Sequence, residues 1–330
     1  MAKTILVTGG AGYIGSHTTK VLLDKGFNVV VFDNLSNSDG SLTDSRAEFV
    51  KGDLKRVVDI KLVFEKFAIE AVIHFAGSIE AGESMKEPLK YFKNNVSGSI
   101  NLLRVMEKYN CKNIVFSSTA AVYGEPKSVP IDESFKKVPT NYYGKSKLMV
   151  EEVLESMHSV HEFNVINLRY FNAAGAGFNL GEAHKSETHL IPLVLLTALG
   201  HREKISVFGD DYDTSDGTCV RDYVHVLDLA YAHYLSLQML FEVKSPVLKY
   251  YNLGSSKGYS VKEIIEECKE VSGIDFEVSY ELRREGDPAM LVASSQLAFK
   301  ELGWKTQFSL QEIISSAWKW HKEFNGFKKK

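Results

Sequence analysis

The chain has 330 residues, of which 44% are hydrophobic and 25% are charged, and its formal net charge is -3. Such a length can form one large core or two linked lobes. The mildly acidic balance gives no electrostatic case for a nucleic acid or a membrane surface, so neither partner is expected. No run approaches the roughly 18 apolar residues of a membrane span. The basic tail at 328–330 is expected to be a solvated end.

The cysteines and histidines indicate no metal site. Cys111, Cys219 and Cys268 are widely spaced and form no CxxC pair, which predicts neither a disulfide framework nor a zinc site. His158 and His161 lie three residues apart in a helical stretch without a third ligand nearby, so a solvated helix face is expected there. The N-terminal sequence has no secretory signal pattern, which predicts a cytoplasmic protein.

The first half of the chain alternates short apolar runs with longer helical patterns, which is typical of a parallel sheet covered by helices. The apolar runs are near-continuous, as expected for strands buried on both faces. In chain order, we predict strands at 5–8, 29–32, 71–75, 113–116 and 165–168, and helices at 13–25, 57–67, 86–109 and 142–161.

After about residue 175 the pattern changes to shorter elements separated by stretches rich in Gly, His and Asp. Further helices are predicted at 190–199, 226–241, 260–271 and 310–323. We therefore predict an α/β fold with a Rossmann-type, doubly wound parallel sheet and a smaller C-terminal substrate-binding lobe. Residues 1–175 would form the Rossmann-type domain and 176–330 the smaller C-terminal lobe. The boundary is soft, because the chain can cross between the lobes more than once.

A glycine-rich turn, TGGAGYIG, follows the first strand and precedes the first helix. It satisfies GxGxxG through Gly10, Gly12 and Gly15, and GxxGxxG through Gly9, Gly12 and Gly15. Such a turn lets the backbone approach a pyrophosphate, which free N–H groups and the positive helix end then hold. Asp33 ends the second strand, where an acid binds the adenosine ribose and repels a 2′-phosphate. The turn therefore predicts a site for NAD rather than NADP.

Tyr143 and Lys147 are four residues apart in a helical stretch, so both side chains project from one face. The pair predicts a tyrosinate base whose pKa is lowered by the ammonium and by a positively charged nicotinamide ring. This spacing alone is common on ordinary helices. Thr119, however, ends a predicted strand at the edge where open α/β sheets place their ligands, and its hydroxyl can bridge the tyrosine and a substrate alcohol.

Taken together, these motifs resemble the extended short-chain dehydrogenase/reductase family, and within it the UDP-glucose 4-epimerases. The matching segments run in family order from the first strand to near residue 300. They are VTGGAGYIGSH at 7–17, HFAG at 74–77, GES at 82–84, NNV at 94–96, YGKSKLMVE at 143–151, LRYFNAAGA at 168–176, DGTCVRDYVHVLDLA at 216–230, YNLG at 251–254 and RREGDPA at 283–289.

The resemblance implies an isomerase that interconverts UDP-glucose and UDP-galactose with tightly bound NAD. Tyr143 would deprotonate the 4′-hydroxyl of the sugar, directly or through Thr119, while C4 gives a hydride to NAD. The resulting 4-keto sugar would turn over and take the hydride back on its other face, so that no net oxidation occurs.

The resemblance also assigns residues to the two ligands. Cofactor contacts are expected from Gly9, Gly12, Tyr13, Ile14, Gly15, Asp33, Asn34, Asp53, Leu54, Phe75, Ala76, Gly77, Asn94, Ser117, Tyr143, Lys147 and Tyr170. Substrate contacts are expected from Thr119, Tyr143, Asn172, His189, Leu190, Phe208, Arg221, Tyr223, Arg284, Asp287 and Leu291. A diphosphate independently favours arginine forks. From the residues alone, an ion pair with Asp222 explains Arg221 equally well, and Arg283 is expected to be a solvated neighbour.

Three positions depart from the family pattern. Thr119 stands where many relatives have serine, which keeps the hydroxyl and adds a methyl group. Ile79 stands where some relatives have a lysine, so a contact with the cofactor ribose can be absent. Leu291 lies where residue size gates the sugar pocket, and leucine leaves open whether 2-acetamido sugars enter.

Other functions stay open at this point. UDP-N-acetylglucosamine and UDP-pentose 4-epimerases are poorly separated from the favoured activity. A nucleotide-sugar dehydratase needs an Asp-Glu pair after the strand threonine, whereas this chain has Ala120 and Ala121. A non-catalytic NAD-binding sensor would be expected to lack Tyr143 or Lys147, and both are present.

Family analogy further predicts a homodimer through the helices at 86–109 and 142–161. Leu102, Val105 and Met106 fit either a dimer face or the core of one chain. The predicted dimer therefore rests on the analogy rather than on these residues.

Overall fold

The structure is a computed structural model that describes residues 2–185, 187–284 and 286–324. The basic tail at 328–330, predicted to be solvated, lies outside the described residues. None of the described helices combines the length and the apolar character that crossing a bilayer requires.

Seven parallel strands form the main sheet, in the order β10-β6-β5-β4-β1-β2-β3 when strands are numbered along the chain. Their order and direction confirm the predicted Rossmann-type α/β fold. Two of these strands, β3 and β10, are absent from the prediction. The seven strands are β1 (Thr4–Thr8), β2 (Asn28–Asp33), β3 (Glu48–Lys51), β4 (Ile69–His74), β5 (Asn113–Thr119), β6 (Asn164–Tyr170) and β10 (Leu248–Leu253).

Helices cover both faces of this sheet and fill the second lobe. Seven of the eight predicted helices agree with the structure to within a residue or so at each end. The α-helices of the described residues are α1 (Tyr13–Asp24), α2 (Val57–Lys66), α3 (Ala81–Lys86), α4 (Pro88–Tyr91), α5 (Gly98–Lys108), α6 (Tyr142–His161), α7 (Leu190–Ala198), α8 (Val226–Glu242), α9 (Val261–Ser272), α10 (Gln296–Leu302) and α11 (Leu310–Glu323).

The single helix predicted over 86–109 is wrong. Glu87 has φ -124° and ψ 56° and ends α3, as expected for a residue held out of the helical region by the proline that follows it. A π-helical turn at Phe92–Ser97 then separates α4 from α5. Leu102, Val105 and Met106 are at most 2% exposed within the chain, so they belong to its core.

Alternate residues of β1 enter different cores, which explains the near-continuous apolar strands. Ile5 and Val7 pack on the side of α1 and α8, whereas Leu6 packs on the side of α2, α5 and α6. All three side chains are at most 1% exposed. The sheet is therefore a middle layer with helices on both sides.

The second lobe contains two small sheets. In the larger sheet, β9 (Val220–His225) pairs with β7 (Asn172–Ala174), β11 (Gly258–Ser260) and β13 (Met290–Leu291). In the smaller one, β8 (Lys204–Phe208) pairs in parallel with β12 (Glu277–Glu281). The chain also returns to the first lobe, since β10 lies beside β6 and α8 packs against α1. The division at residue 175 stays a prediction, and this return is the crossing that it allows for.

A buried ion pair joins α6 to β6 beneath the carboxyl end of the sheet. The Arg169 guanidinium donates to both carboxylate oxygens of Glu151, at 2.9 and 2.7 Å, and both side chains are 1% exposed. Arg169 also donates to the Tyr123 hydroxyl at 2.9 Å, and Ser118 donates to Glu151 at 2.6 Å. These bonds fix α6 relative to β5 and β6.

Glu151→Gln is expected to lower the free energy of unfolding by about 3–5 kcal/mol, because it leaves the Arg169 charge buried without its anion. The matched control is Glu70→Gln, which removes the exposed pair of Glu70 with Lys3 at 4.0 Å and should cost less than about 1 kcal/mol. Urea unfolding of the three proteins measures both effects. Equal midpoints for the two variants would contradict a structural role for the buried pair.

Candidate active site

The carboxyl ends of β1, β2, β4, β5 and β6 open into a cavity of about 1460 Å³, counting the space open to solvent. Open α/β sheets bind their ligands at this edge.

The glycine turn between β1 and α1 forms the floor of the cavity. Gly9 has φ +73°, and a β-carbon there would lie 2.6 Å from the Ala76 nitrogen. A β-carbon on Gly15 would lie 2.3 Å from the Gly9 carbonyl oxygen. The backbone of the turn is thus packed too tightly for any side chain at these two positions, and the absence of side chains there lets a ligand approach the backbone closely.

Asp33 lies at the end of β2, on the cavity wall. Its carboxylate accepts hydrogen bonds from the backbone amides of Ala11, at 3.1 Å, and Leu35, at 2.8 Å. Burial raises the pKa of Asp33, while these hydrogen bonds oppose the shift. The carboxylate is therefore held beside the glycine turn. A tight turn at a helix start with an acid at the end of the next strand fits NAD.

Tyr143 and Thr119 meet at the carboxyl end of β5. The Thr119 hydroxyl accepts a hydrogen bond from the Ala121 amide at 3.1 Å and is also bonded to the Tyr143 hydroxyl. Burial raises the pKa of Tyr143, and the bond to Thr119 only partly offsets this. The pKa of Tyr143 is thus raised without NAD, and its lowering by Lys147 together with a bound nicotinamide ring stays a prediction.

Lys147 is 2% exposed and lies one helical turn from Tyr143. Its ammonium donates to the Ser117 carbonyl at 2.9 Å and lies 5.0 Å from the centroid of the Phe116 ring. Burial lowers the pKa of Lys147 to about 8. A carbonyl and a ring face solvate a cation less well than water does, so this ammonium can lose its proton near neutral pH.

The π-helical turn supplies the facing wall of the cavity. Asn94 donates to the Ser78 hydroxyl at 3.0 Å, and the Asn95 amide group donates to the Ser146 hydroxyl at 2.9 Å. The Asn95 side-chain oxygen accepts from the Ser78 amide at 2.7 Å. These bonds tie the loop after β4 to the turn of α6 that carries Lys147. Single π turns of this kind recur at functional sites.

Every residue predicted to contact the cofactor lines this cavity, as do four of those predicted to contact the substrate: Thr119, Tyr143, Asn172 and His189. Ser117 and Tyr170 also share a short hydrogen bond through their hydroxyl groups. Ile79 lines the cavity as well. The remaining seven predicted substrate residues are not in its lining and lie in the second lobe: Leu190, Phe208, Arg221, Tyr223, Arg284, Asp287 and Leu291.

These second-lobe residues are close to one another in places. The central carbon of the Arg284 guanidinium lies 3.9 Å from the centroid of the Phe208 ring. Leu291 on β13 is the register partner of Arg221 on β9. Leu190 begins α7, and Tyr223 is 5% exposed and packs in the core of the lobe.

The local ion pair considered for Arg221 is not formed. Asp222 is fully buried and accepts hydrogen bonds from Ser255, Ser256 and the Ala293 amide instead. The Arg221 guanidinium donates to the Val220 carbonyl at 2.9 Å. The two side chains diverge because adjacent residues of a strand point to opposite faces. Arg283 is not simply solvated either, since it pairs with Asp211 at 2.6 Å.

Three further residues at this site, Glu182, His184 and Glu187, were not predicted from the sequence. Glu182 and His184 line the cavity, and Glu187 joins them with His189 in one cluster. The spacing Glu-x-His-x-x-Glu-x-His could have indicated the cluster. No metal was expected from the sequence, because the cysteines and the His158–His161 pair lack the spacing of a metal site.

The family model described as the NAD dependent epimerase/dehydratase family matches residues 5–254. The chain belongs to this family. The resemblance seen in the sequence is thereby confirmed, and so are the expected enzyme class and NAD as the cofactor.

The chain is similar to proteins of known name along nearly its whole length. It is 49% identical to the UDP-glucose 4-epimerase of Halalkalibacterium halodurans, with 97% of this chain and 96% of the relative covered. The Brucella ovis UDP-glucose 4-epimerase in complex with NAD is 42% identical, with a TM-score of 0.92 and coverage of 96% and 98%. The Bifidobacterium longum enzyme in complex with NAD⁺ and UDP is 40% identical, with a TM-score of 0.93 and coverage of 98% and 100%.

Gly15→Ala is expected to abolish retention of NAD, because its β-carbon would collide with the Gly9 carbonyl at 2.3 Å and spread the turn. Gly82→Ala is the matched control, since a β-carbon there meets nothing within 4 Å. The measurement is NAD released from each purified protein by acid and quantified by chromatography. Equal NAD content in the two variants would contradict the role assigned to the glycine turn.

Proposed function

We propose that the protein interconverts UDP-glucose and UDP-galactose by transient oxidation at C4 of the sugar. The observation that carries the proposal is the convergence of Tyr143, Thr119 and Lys147 at the carboxyl end of β5, in the cavity that contains the glycine turn. The names of the two relatives solved with NAD support it. NAD, when bound, supplies the acceptor and the donor of the hydride.

Tyr143 takes the proton of the sugar 4′-hydroxyl, directly or through Thr119, and returns it after the 4-keto sugar has turned over. The Thr119 hydroxyl suits this relay, because its oxygen accepts from the Ala121 amide and its proton can therefore go to Tyr143. Burial keeps Tyr143 protonated, so the base needs positive charge nearby when it acts. Lys147 supplies that charge from the next turn of α6.

The described residues that follow Thr119 directly offer no acid and base for dehydration. Ala120 and Ala121 begin a 3-10 turn directly after Thr119, where a dehydratase has an acid and a second carboxylate. The carboxylates in the described lining of the cavity are Asp33, Asp53 and Glu182, which come from other loops. Hydride transfer out and back, with one proton, is the chemistry that the remaining groups support.

The second lobe holds the nucleotide diphosphate in this proposal. Arg221 and Arg284 provide the positive charge: the Arg221 guanidinium donates to the Val220 carbonyl rather than pairing with Asp222, and the Arg284 guanidinium lies over the Phe208 ring. Phe208 offers an aromatic face for uracil, and Asp287 an acceptor for the ribose. Leu291 on β13 forms part of the sugar pocket, because it lies beside Arg221 on β9. Asn172, His189, Leu190 and Tyr223 complete the predicted substrate contacts.

Homodimer formation and a cytoplasmic location are part of the same proposal. The helices expected at the dimer interface carry exposed apolar side chains, namely Leu89, Ile100 and Met149, at 79%, 38% and 37% exposure. Apolar side chains on neighbouring helices are the usual core of an interface between identical chains. The division into an NAD-binding domain at 1–175 and a UDP-sugar lobe at 176–330 is also part of this proposal.

The purified protein, with no added NAD, is expected to convert UDP-galactose to UDP-glucose, because the cofactor stays bound and is regenerated in each cycle. Tyr143→Phe should keep its NAD and lose at least about 99% of turnover, in line with the roughly 10²–10⁴-fold contribution of a general base. The UDP-glucose that each protein forms and the NAD that it retains are quantified by chromatography. No product even with NAD supplied, or near-normal turnover by the variant, would contradict the proposal. UDP-N-acetylgalactosamine in the same assay measures what Leu291 admits.

Turnover is expected to fall as pH rises above about 8. Since the pKa of Lys147 is lowered to about 8, its ammonium is present below that pH and lost above it, and with it the charge that stabilises the Tyr143 anion. The measurement is kcat between about pH 6 and about pH 10. Lys147→Arg keeps its charge throughout this range and should lack the alkaline decline. A wild-type profile that stays level up to pH 10 would count against this role.

A further inference from the structure

Two histidines and two glutamates form a cluster in the segment between β7 and α7, at the edge of the cavity. Glu182, His184, Glu187 and His189 each offer one ligand atom, and these four atoms lie within 4.8 Å of one another. The side chains of Glu182, Glu187 and His184 are only 5%, 7% and 11% exposed. Such groups are rarely removed from water together unless they bind each other or an ion.

The distances within the cluster suit a shared ion. The Nδ1 atom of His189 lies 2.8 Å from a carboxylate oxygen of Glu182 and 2.8 Å from one of Glu187. The Nδ1 atom of His184 lies 3.3 Å from the same oxygen of Glu182, Oε1, and 3.5 Å from the other oxygen of Glu187, Oε2. Four ligands about 2.0 Å from a tetrahedral zinc ion are about 3.3 Å apart.

One atom of the cluster has no hydrogen bond. The Oε2 oxygen of Glu187 is buried and lacks a hydrogen-bond partner, although His184 Nδ1 lies 3.5 Å away. A buried carboxylate oxygen normally accepts at least one hydrogen bond, because leaving it unpaired is costly. A metal ion between these two atoms would satisfy both.

Charge balance can be reached in two ways. The two carboxylates can be neutralised by two protonated imidazoles or by one divalent cation with two neutral imidazoles. In the first case, two cationic rings with centroids 5.3 Å apart would repel each other, with the side chain of His184 11% exposed and that of His189 41% exposed. In the second case that repulsion is absent, and the unprotonated Nδ1 atom of each imidazole binds the ion through its lone pair.

We propose that Glu182, His184, Glu187 and His189 bind one divalent transition-metal ion of the zinc class. Imidazole nitrogen and carboxylate oxygen are ligands that such ions accept, and four protein ligands characterise a structural rather than a catalytic site. The ion would fix the segment that ends in His189, the residue before α7. It would also hold His184 against the ring of Tyr13, whose centroid lies 6.3 Å away in the wall of the cofactor cavity.

The test measures bound metal, and no sugar substrate is needed. The chelator-treated protein is titrated with Zn²⁺ alone against a chromogenic chelator, and metal per chain is counted by mass spectrometry after gel filtration. One Zn²⁺ per chain is expected, with an affinity at least about tenfold lower in Glu187→Gln. The control His161→Gln removes the exposed pair of His161 with Glu107 at 3.0 Å and should leave the affinity unchanged.

A second measurement uses the unaltered protein, in case Glu187→Gln folds poorly. Co²⁺ bound to the cluster should show the strong visible absorption of four-coordinate cobalt, and Zn²⁺ should displace it and raise the melting temperature by several degrees. Failure to bind one metal per chain, or equal affinity in Glu187→Gln and wild type, would overturn the proposal. Neither result bears on the conversion of UDP-galactose, which is assayed separately.

Discussion

The cost of burying a cation organises the catalytic part of this molecule. The ammonium of Lys147 is held by the Ser117 carbonyl and the face of Phe116, two weak substitutes for water. Its charge can be kept there only because α6 is fixed by stronger bonds elsewhere, through Glu151 to Arg169 and through Ser146 to Asn95. A cation so poorly solvated stabilises a neighbouring anion more than an exposed one would, because less water screens it. The bonds that fix α6 thus keep the poorly solvated ammonium of Lys147 in place beside Tyr143.

The two lobes contribute different physics to the same edge of the sheet. The first lobe offers backbone: a glycine turn without room for side chains, closed against the loop after β4. The second offers side chains that carry charge and aromatic surface on short strands. Tyr13 links the two, since it starts α1 and its hydroxyl donates to the Gly175 carbonyl at 2.5 Å, where the chain leaves the first lobe. Residues of both lobes therefore line the cavity at the carboxyl edge of the sheet.

Much of the fold and of the cofactor side could be predicted from sequence because the signals are local. An apolar run, a glycine turn or a pair of residues on one helix face is complete within about ten residues. β3 was missed because it is a mostly exposed edge strand, Glu-Phe-Val-Lys. β10 was missed because its place beside β6 depends on contacts across the whole second lobe. The pKa of Tyr143 and the divergence of Arg221 from Asp222 depend on burial and strand face, which residue spacing does not encode. The cluster around Glu187 was missed although its spacing, Glu-x-His-x-x-Glu-x-His, is visible in the sequence.

The position of β10 has a consequence for synthesis of the protein. β6 spans Asn164–Tyr170, but its outer partner is Leu248–Leu253, so a nascent chain exposes the edge of β6 until α7, β8, β9 and α8 have been made. An unpaired edge of a buried, apolar strand is a template for intermolecular pairing. Long-range parallel pairing is also slow to form. Until β10 has been made, the edge of β6 that the finished fold hides completely is therefore open to pairing with other chains.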